Sequence, residues 1–281
     1  MIRARLFAAL LATTLTTAVV AQISTPEHGD SIYQPSSGQA GKDVVWVPTP
    51  DALVTRMLTA TKTTKDDLVY DLGAGDGRIP IVAAKQFGAR TVGIEYNPEM
   101  AELARRNVIR AGVENRASII TGDIFVEDFS KATVVTMYLL PDLNIKLRPT
   151  ILKMRPGTRV TSHQFNMGDW EPDERFSVET REAYLWYVPA DVAGVWTLRD
   201  EQGFESTLSL AQRYQKVGGT VTFGGKTQPL LGATLQGDRL ALSFLDPENN
   251  LGSATFTVTG NSMNGQLNWS GRTIKATARK R

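Results

Sequence analysis

The stretch Val69-Tyr70-Asp71-Leu72-Gly73-Ala74-Gly75-Asp76-Gly77-Arg78 constrains the fold of this chain more than any other. A short apolar strand runs directly into a turn with alternate glycines, and a helical pattern follows. An α/β sheet builds a nucleotide-type pocket from strand, glycine turn and helix in that order. The glycines let the backbone approach a ligand, and the helix start offers N–H groups without intrahelical acceptors. Spacing narrows the ligand. A dinucleotide fingerprint needs G-x-G-x-x-G, whereas here the third glycine comes one residue early and Arg78 holds the usual third position. Asp71 sits two residues before the first glycine. A carboxylate there repels phosphate and suits a cationic amino-acid ligand.

Two more acids occupy equivalent places. Thr91-Val92-Gly93-Ile94-Glu95 reads as a second strand ending in an acid, and Thr121-Gly122-Asp123-Ile124 follows a third apolar strand, Ala117 to Thr121. Each acid has a plain structural reading. Asp71 suits a turn, Glu95 the N-cap region before Asn97-Pro98-Glu99, and Asp123 an Asx-turn. Three of them at successive strand ends, with a glycine loop, form a more specific constellation than any one alone.

The D-L-G-A-G-D-G run resembles the first motif of class I S-adenosylmethionine-dependent methyltransferases. That resemblance implies a cofactor loop at Asp71, Gly73, Ala74, Gly75 and Gly77. It implies that Glu95 accepts the ribose hydroxyls, as an acceptor-only carboxylate can. Asp123 would bond the adenine amino group, and Ile124 would pack on the ring. The V-P-T-P run, Val47 to Pro50, is similar to a loop in some lysine methyltransferases, which implies that Thr49 faces the cofactor's amino-acid end. The plainer reading makes Thr49 the N-cap of a helix Asp51 to Thr61, with Pro50 in the first turn. Together with G-D-G-R-I and a late W-x-P-D at Trp170 to Asp173, the pattern resembles a subgroup that includes lysine methyltransferases acting on an ATP synthase subunit. The likeness covers roughly Val44 to Val188. It implies a protein lysine as methyl acceptor, with a small molecule as the other option.

The rest of the chain organises around this core. Strand and helix patterns alternate: strand Leu68 to Leu72, helix Arg78 to Phe87, strand Thr91 to Glu95, helix Pro98 to Ala111, and strand Ala117 to Thr121. Then come strand Thr133 to Tyr138, helix Leu143 to Lys153 and strand Thr158 to Ser162. Such alternation predicts right-handed βαβ units and a mainly parallel sheet. Ser177 to Val188 is expected to form the antiparallel edge hairpin of a Rossmann-like seven-stranded methyltransferase sheet. From Val195 on, helical periodicity disappears. Short alternating runs remain: Ser206 to Ala211, Thr220 to Phe223, Leu240 to Leu245, Ala254 to Val258 and Gln266 to Trp269, separated by glycine and asparagine turns. These predict a small all-β domain, an antiparallel barrel or sandwich. It would grip a lipid, a glycan or a partner, or cover one side of the catalytic domain. The expected divisions are a signal peptide at 1–21, a flexible arm at 22–43, a methyltransferase domain at 44–190 and the all-β domain at 194–281.

The first residues carry a basic start, Met1 to Arg5, an apolar stretch from Leu6 to Val20, and small residues before Gln22. This is the pattern of a cleavable secretory signal. It implies an extracytoplasmic location, or a cytoplasmic one if the signal is unused, and no stable membrane span after cleavage. Removing it takes Lys+Arg from 31 to 29, equal to Asp+Glu at 29, so no basic excess points to nucleic acid. Cysteine is absent, which excludes disulfides, thiolate zinc sites and a cysteine nucleophile. No clustered ligands suggest a metal.

At the end of the fourth strand, Tyr138-Leu139-Leu140-Pro141-Asp142 lacks the polar first position and paired prolines that methyltransferases acting on exocyclic or amide nitrogens often carry. Tyr138 is the candidate catalytic residue, placed to orient a lysine amine or cover the methyl; its plain reading is a core tyrosine. His163, after the fifth strand, reads as a structural hydrogen-bonder more than a base. The competing function is an exported binding or envelope protein on a catalytically retired methyltransferase scaffold, with the β domain as its working part. An export signal on an enzyme whose cofactor is made in the cytosol motivates that alternative.

Overall fold

A computed structural model describes residues 28–43, 45–269 and 271–281. The expected signal at 1–21, the first part of the arm and Val44 lie outside the described residues. The first half runs α1 (Asp51–Ala60), β1 (Leu68–Leu72), α2 (Arg78–Phe87), β2 (Arg90–Glu95), α3 (Pro98–Arg110) and β3 (Ala117–Thr121). It continues through β4 (Val134–Met137), α4 (Pro141–Ile151), β5 (Arg159–His163), β6 (Glu174–Val178) and β7 (Arg181–Tyr187). Among the described residues these strands form one seven-stranded sheet of order β3-β2-β1-β4-β5-β7-β6. The first five are parallel, and β7 runs antiparallel between β5 and β6.

Local chemistry explains the elements. β4 is buried at every residue, as a central parallel strand covered on both faces must be. Full burial of each of its apolar side chains contributes roughly 1.5–3 kcal/mol. Asn97 caps α3 by accepting from the N–H groups of Glu99 and Met100, and Pro98 follows at the first helical position. Two expected boundaries move. α4 begins at Pro141, two residues before the expected Leu143, because a proline lacks only an N–H that the first turn would leave unpaired. The edge hairpin begins at Glu174, earlier than the expected Ser177, and turns at Glu179, which has a positive φ of 55°.

The second sheet comprises β8 (Gly194–Asp200), β9 (Glu205–Arg213), β10 (Lys216–Phe223), β11 (Lys226–Pro229), β12 (Gly232–Gln236), β13 (Arg239–Leu245), β14 (Leu251–Thr259), β15 (Ser262–Trp269) and β16 (Arg272–Lys280). Its order is β11-β10-β9-β8-β16-β15-β14-β13-β12, antiparallel throughout. The sheet curls until its ends approach. The Leu230 N–H donates to the Gly219 carbonyl at 2.9 Å, and that of Leu231 to Ser243 at 2.8 Å. Trp196, Phe223, Phe244 and Phe256 fill the interior. Four of these strands had no counterpart among the five alternating runs. β16 turns only Ile274, Ala276 and Ala278 inward, so small side chains mute its apolar signal, and β11 buries nothing fully. Ala190 and Val192 already pack into this second core.

Candidate active site

The carboxyl ends of β1, β2, β3 and β4 open into one cleft. Its wall includes Thr49, Asp71, Gly73, Ala74, Gly75, Glu95, Asp123, Ile124 and Tyr138, nine of the expected site residues. This is where an open α/β sheet binds ligands. Gly77 is absent from the lining. It starts α2 with a left-handed φ of 82°, and a Cβ there would lie 3.1 Å from that of Ala104. The missing Cβ lets α2 pack closely on α3. Gly75 does face the cleft: its φ is 54°, and a Cβ would lie 2.5 Å from Trp46 Nε1.

The three acids differ in environment. Asp71 is 2% exposed and accepts from Thr136 Oγ1 at 2.6 Å. Burial pushes its carboxyl up to about 7; the Thr136 bond opposes this, and the Glu95 and Asp76 charges add to it. A cation against Asp71 would reverse that penalty. Glu95 accepts from the Gly75 N–H at 2.8 Å and the Asn97 N–H at 2.9 Å. Burial raises its carboxyl above the ordinary value, and these backbone bonds hold it back. Asp123 closes the Asx-turn foreseen for it, accepting from the Phe125 N–H at 2.9 Å. It also accepts from Lys42 Nζ at 2.8 Å, and the Lys42 bond holds its carboxyl below the usual range.

Thr49 does not cap α1. Pro50 occupies the N-cap position with no side-chain bond, and Thr49 Oγ1 instead meets His163 Nδ1 at 3.1 Å. The reason is tertiary: His163 is 1% exposed at the end of β5 and needs a buried partner. Tyr138 stacks on the His163 ring with centroids 3.8 Å apart. Burial drives the imidazole down to about 4, with the Arg181 charge adding to it, so the ring is neutral at pH 7. Its Nε2 is buried without a partner. Burial raises the Tyr138 phenol above its ordinary value. The Thr49, Tyr138 and His163 cluster is thus uncharged at neutral pH.

Several contributors were invisible to motif reading. Trp46 lies against Gly75, and Lys42 sits 4.4 Å above the Tyr96 ring, so the end of the arm and the residues just after it line the cleft. Asp30 pins that arm to α3 through Arg106 at 2.7 Å and Arg110 at 3.2 Å. Asp76 is held by Arg78 at 2.7 Å, and Arg78 also donates to the Thr49 carbonyl at 3.0 Å. Of these, Arg78 alone stands out in the sequence, for its place after the glycine loop. Among the described residues no group of three or more metal-ligating side chains occurs, and no helix is long and apolar enough to cross a membrane.

A family model described as the ANTKMT methyltransferase domain matches residues 71–174. A protein-lysine N-methyltransferase of Saccharolobus islandicus is 50% identical over 138 residues, covering 48% of this chain and 86% of that protein. The chain belongs to the class I S-adenosylmethionine-dependent methyltransferases, in their lysine-methyltransferase-like group. Its cofactor is S-adenosylmethionine. A solved Salinibacter ruber protein, described as an RNA methyltransferase in complex with S-adenosyl-L-homocysteine, is 48% identical with a TM-score of 0.51; the match covers 52% of this chain and 96% of that one. The mouse adenine nucleotide translocase lysine N-methyltransferase is 35% identical over 106 residues, which cover 37% of this chain and 46% of that protein. Nothing supports the alternative of a retired scaffold.

Proposed function

We propose that this methyltransferase acts on the ε-amine of a lysine in a protein, and that the acceptor reaches the cleft beside Tyr138 and Thr49. The observation that carries the reading is the 50% identity to a protein-lysine N-methyltransferase across 86% of that protein. The uncharged cluster of Thr49, Tyr138 and His163 is consistent with it, because an amine must give up its proton before its lone pair can attack. Bound cofactor supplies a methyl group on a sulfonium, so displacement needs little further activation.

The chain's own residues then bind and orient. Asp71 would accept from the cofactor's ammonium, and Glu95 would accept from the ribose hydroxyls while keeping its two backbone bonds. Asp123 has further lone pairs beside those used by Phe125 and Lys42 for the adenine amino group. Ile124 packs on the ring. Gly73, Ala74 and Gly75 give close backbone approach. Tyr138, held by its stack on His163, orients the amine; such positioning is the main service the protein renders here. Neutral His163, tied to Thr49, acts by holding these groups and not as a base. The lysine would lose its proton to solvent first; its lone pair would then take the methyl group while the carbon–sulfur bonding pair stayed with sulfur.

The test is methyl transfer from tritiated S-adenosylmethionine to cell-extract protein and, separately, to total RNA. Label recovered as Nε-methyl-lysine is the expected result. Label confined to RNA would overturn the lysine reading, and absence of heat with S-adenosylhomocysteine in calorimetry would overturn the cofactor site itself.

A further inference from the structure

The loop between β5 and β6, residues 164–173, carries the W-x-P-D run and is gripped by α4 on one side and by the second sheet on the other. On its own side, Asn144 Nδ2 donates to the Phe165 and Asn166 carbonyls at 3.1 and 3.2 Å. The Phe165 ring stacks on Tyr138 at 6.1 Å. The second grip comes from the tip of the β9–β10 hairpin. Arg213 Nη2 and Tyr214 Oη donate to the Asp169 carboxylate at 2.7 and 3.1 Å. Trp170 Nε1 donates to Gln215 Oε1 at 3.1 Å. Gln215 Nε2 donates to the Glu171 carbonyl at 2.6 Å, and Lys216 Nζ to its carboxylate at 2.7 Å. Four consecutive residues at the β9–β10 tip thus hold three consecutive residues of the β5–β6 loop.

Trp170 is the buried anchor at 0% exposure. Its ring stacks on Tyr214 at 6.0 Å, and its carbonyl accepts from Trp186 Nε1 at 2.9 Å. The hairpin tip shows a second, independent sign. Arg213 pairs with Lys216, leaving a two-residue turn of Tyr214 and Gln215. Tyr214 has a φ of 54° in the first central position, where such turns ordinarily use glycine. A bulky residue in the left-handed region is strained and persists where its side chain is needed.

We propose that the β9–β10 tip positions the acceptor-side loop, and through it Phe165 against Tyr138, so that Tyr214 and Gln215 are positioning residues for methyl transfer. The proposal rests on the reading that the acceptor comes in beside Tyr138. It gives the second sheet a part in catalysis, in a chain of which only 52% is matched by the solved Salinibacter relative.

The test uses the full chain and two variants. Tyr214→Gly removes the ring and hydroxyl while relieving the turn, so the hairpin keeps its fold; Tyr214→Phe keeps the stack. Hydrogen exchange, S-adenosylhomocysteine calorimetry and the rate of methyl-lysine formation in extract protein are compared at saturating cofactor. In Tyr214→Gly, amides of residues 164–171 are expected to exchange at least ~10-fold faster. Methylation falls at least ~10-fold, while β9 and β10 protection stays unchanged and cofactor affinity stays within about twofold. Tyr214→Phe returns loop exchange and methylation toward wild type. Wild-type exchange at 164–171 in Tyr214→Gly would overturn the clamp, and a matching loss of cofactor affinity would overturn its acceptor-side role. If the wild-type chain forms no methyl-lysine, the lysine reading and the role in methyl transfer both fall, while exchange still decides whether the clamp exists.

Discussion

Replacing Asp71 by Asn should make this protein more stable at neutral pH and less able to bind its cofactor. Asp71 ionises near 3.8 in an unfolded chain and near 7 in the fold. Between those values the unfolded state binds fewer protons, so stability falls as pH rises. The loss grows by ~1.4 kcal/mol per pH unit, reaches about 4 kcal/mol at pH 7 and then levels off. His163 works in the opposite sense. Its imidazole ionises near 4 in the fold against 6.5 unfolded, so its contribution is full above 6.5 and is lost as pH falls toward 4. The two slopes offset each other in the wild type, and the difference between variant and wild type isolates Asp71. Asn keeps an acceptor for Thr136 Oγ1 but brings unpaired N–H groups costing about 1–2 kcal/mol. Urea unfolding from pH 4 to 8 should therefore give a difference near or below zero at pH 4 that climbs with pH. It should settle near ~2–3 kcal/mol in favour of Asp71→Asn above pH 7. The same substitution should weaken S-adenosylhomocysteine binding at least ~100-fold, as loss of a buried charge-assisted contact does. A difference that stays flat across the range would refute the claim that Asp71 is held ready for a cation by its burial.

Three further outcomes follow from the cleft. Glu95→Ala removes an acceptor of two hydrogen bonds from a bound diol, each worth ~1.5–3 kcal/mol when one partner is charged; calorimetry should show at least ~100-fold weaker cofactor binding, and a change under threefold would count against the assignment. Gly75→Ala places a Cβ 2.5 Å from Trp46 Nε1 at a φ of 54°, at a backbone cost of ~1–2 kcal/mol; a shift in tryptophan emission with at least ~10-fold weaker binding is expected, and an unchanged spectrum would argue against that packing. Lys42→Ala breaks an ion pair that salt and solvent screen, so the melting temperature should stay within about 1 °C; a larger drop would mean that the arm is anchored chiefly by Lys42 and not by Asp30.

Much of this protein was legible along the chain. The strand, glycine loop and following acids could be placed on one sheet edge because parallel βαβ winding brings successive strand ends together, whatever the side chains in between. Asp71, Glu95, Asp123 and Tyr138 needed only that rule. What the sequence could not decide were pairings between residues far apart in the chain. Thr49 looks like a helix cap because its neighbours are a proline and a helix; its hydroxyl went to His163, 114 positions away, because a buried imidazole must be satisfied. Gly77 fits the glycine motif, and nothing along the chain shows that a Cβ there would crowd Ala104 on α3. The strands of the second sheet with alanine or polar faces carried too little apolar contrast to be seen, and they form because their neighbours supply the hydrogen bonds. Motif spacing therefore determined the sheet and the strand ends that meet at one edge, and the resemblance of the glycine loop to class I methyltransferases implied the cofactor. Only tertiary packing decided which hydroxyl meets which ring, how the end of the arm lines the cleft and how the hairpin grips the loop, because those contacts join segments whose separation along the chain says nothing about their distance in space.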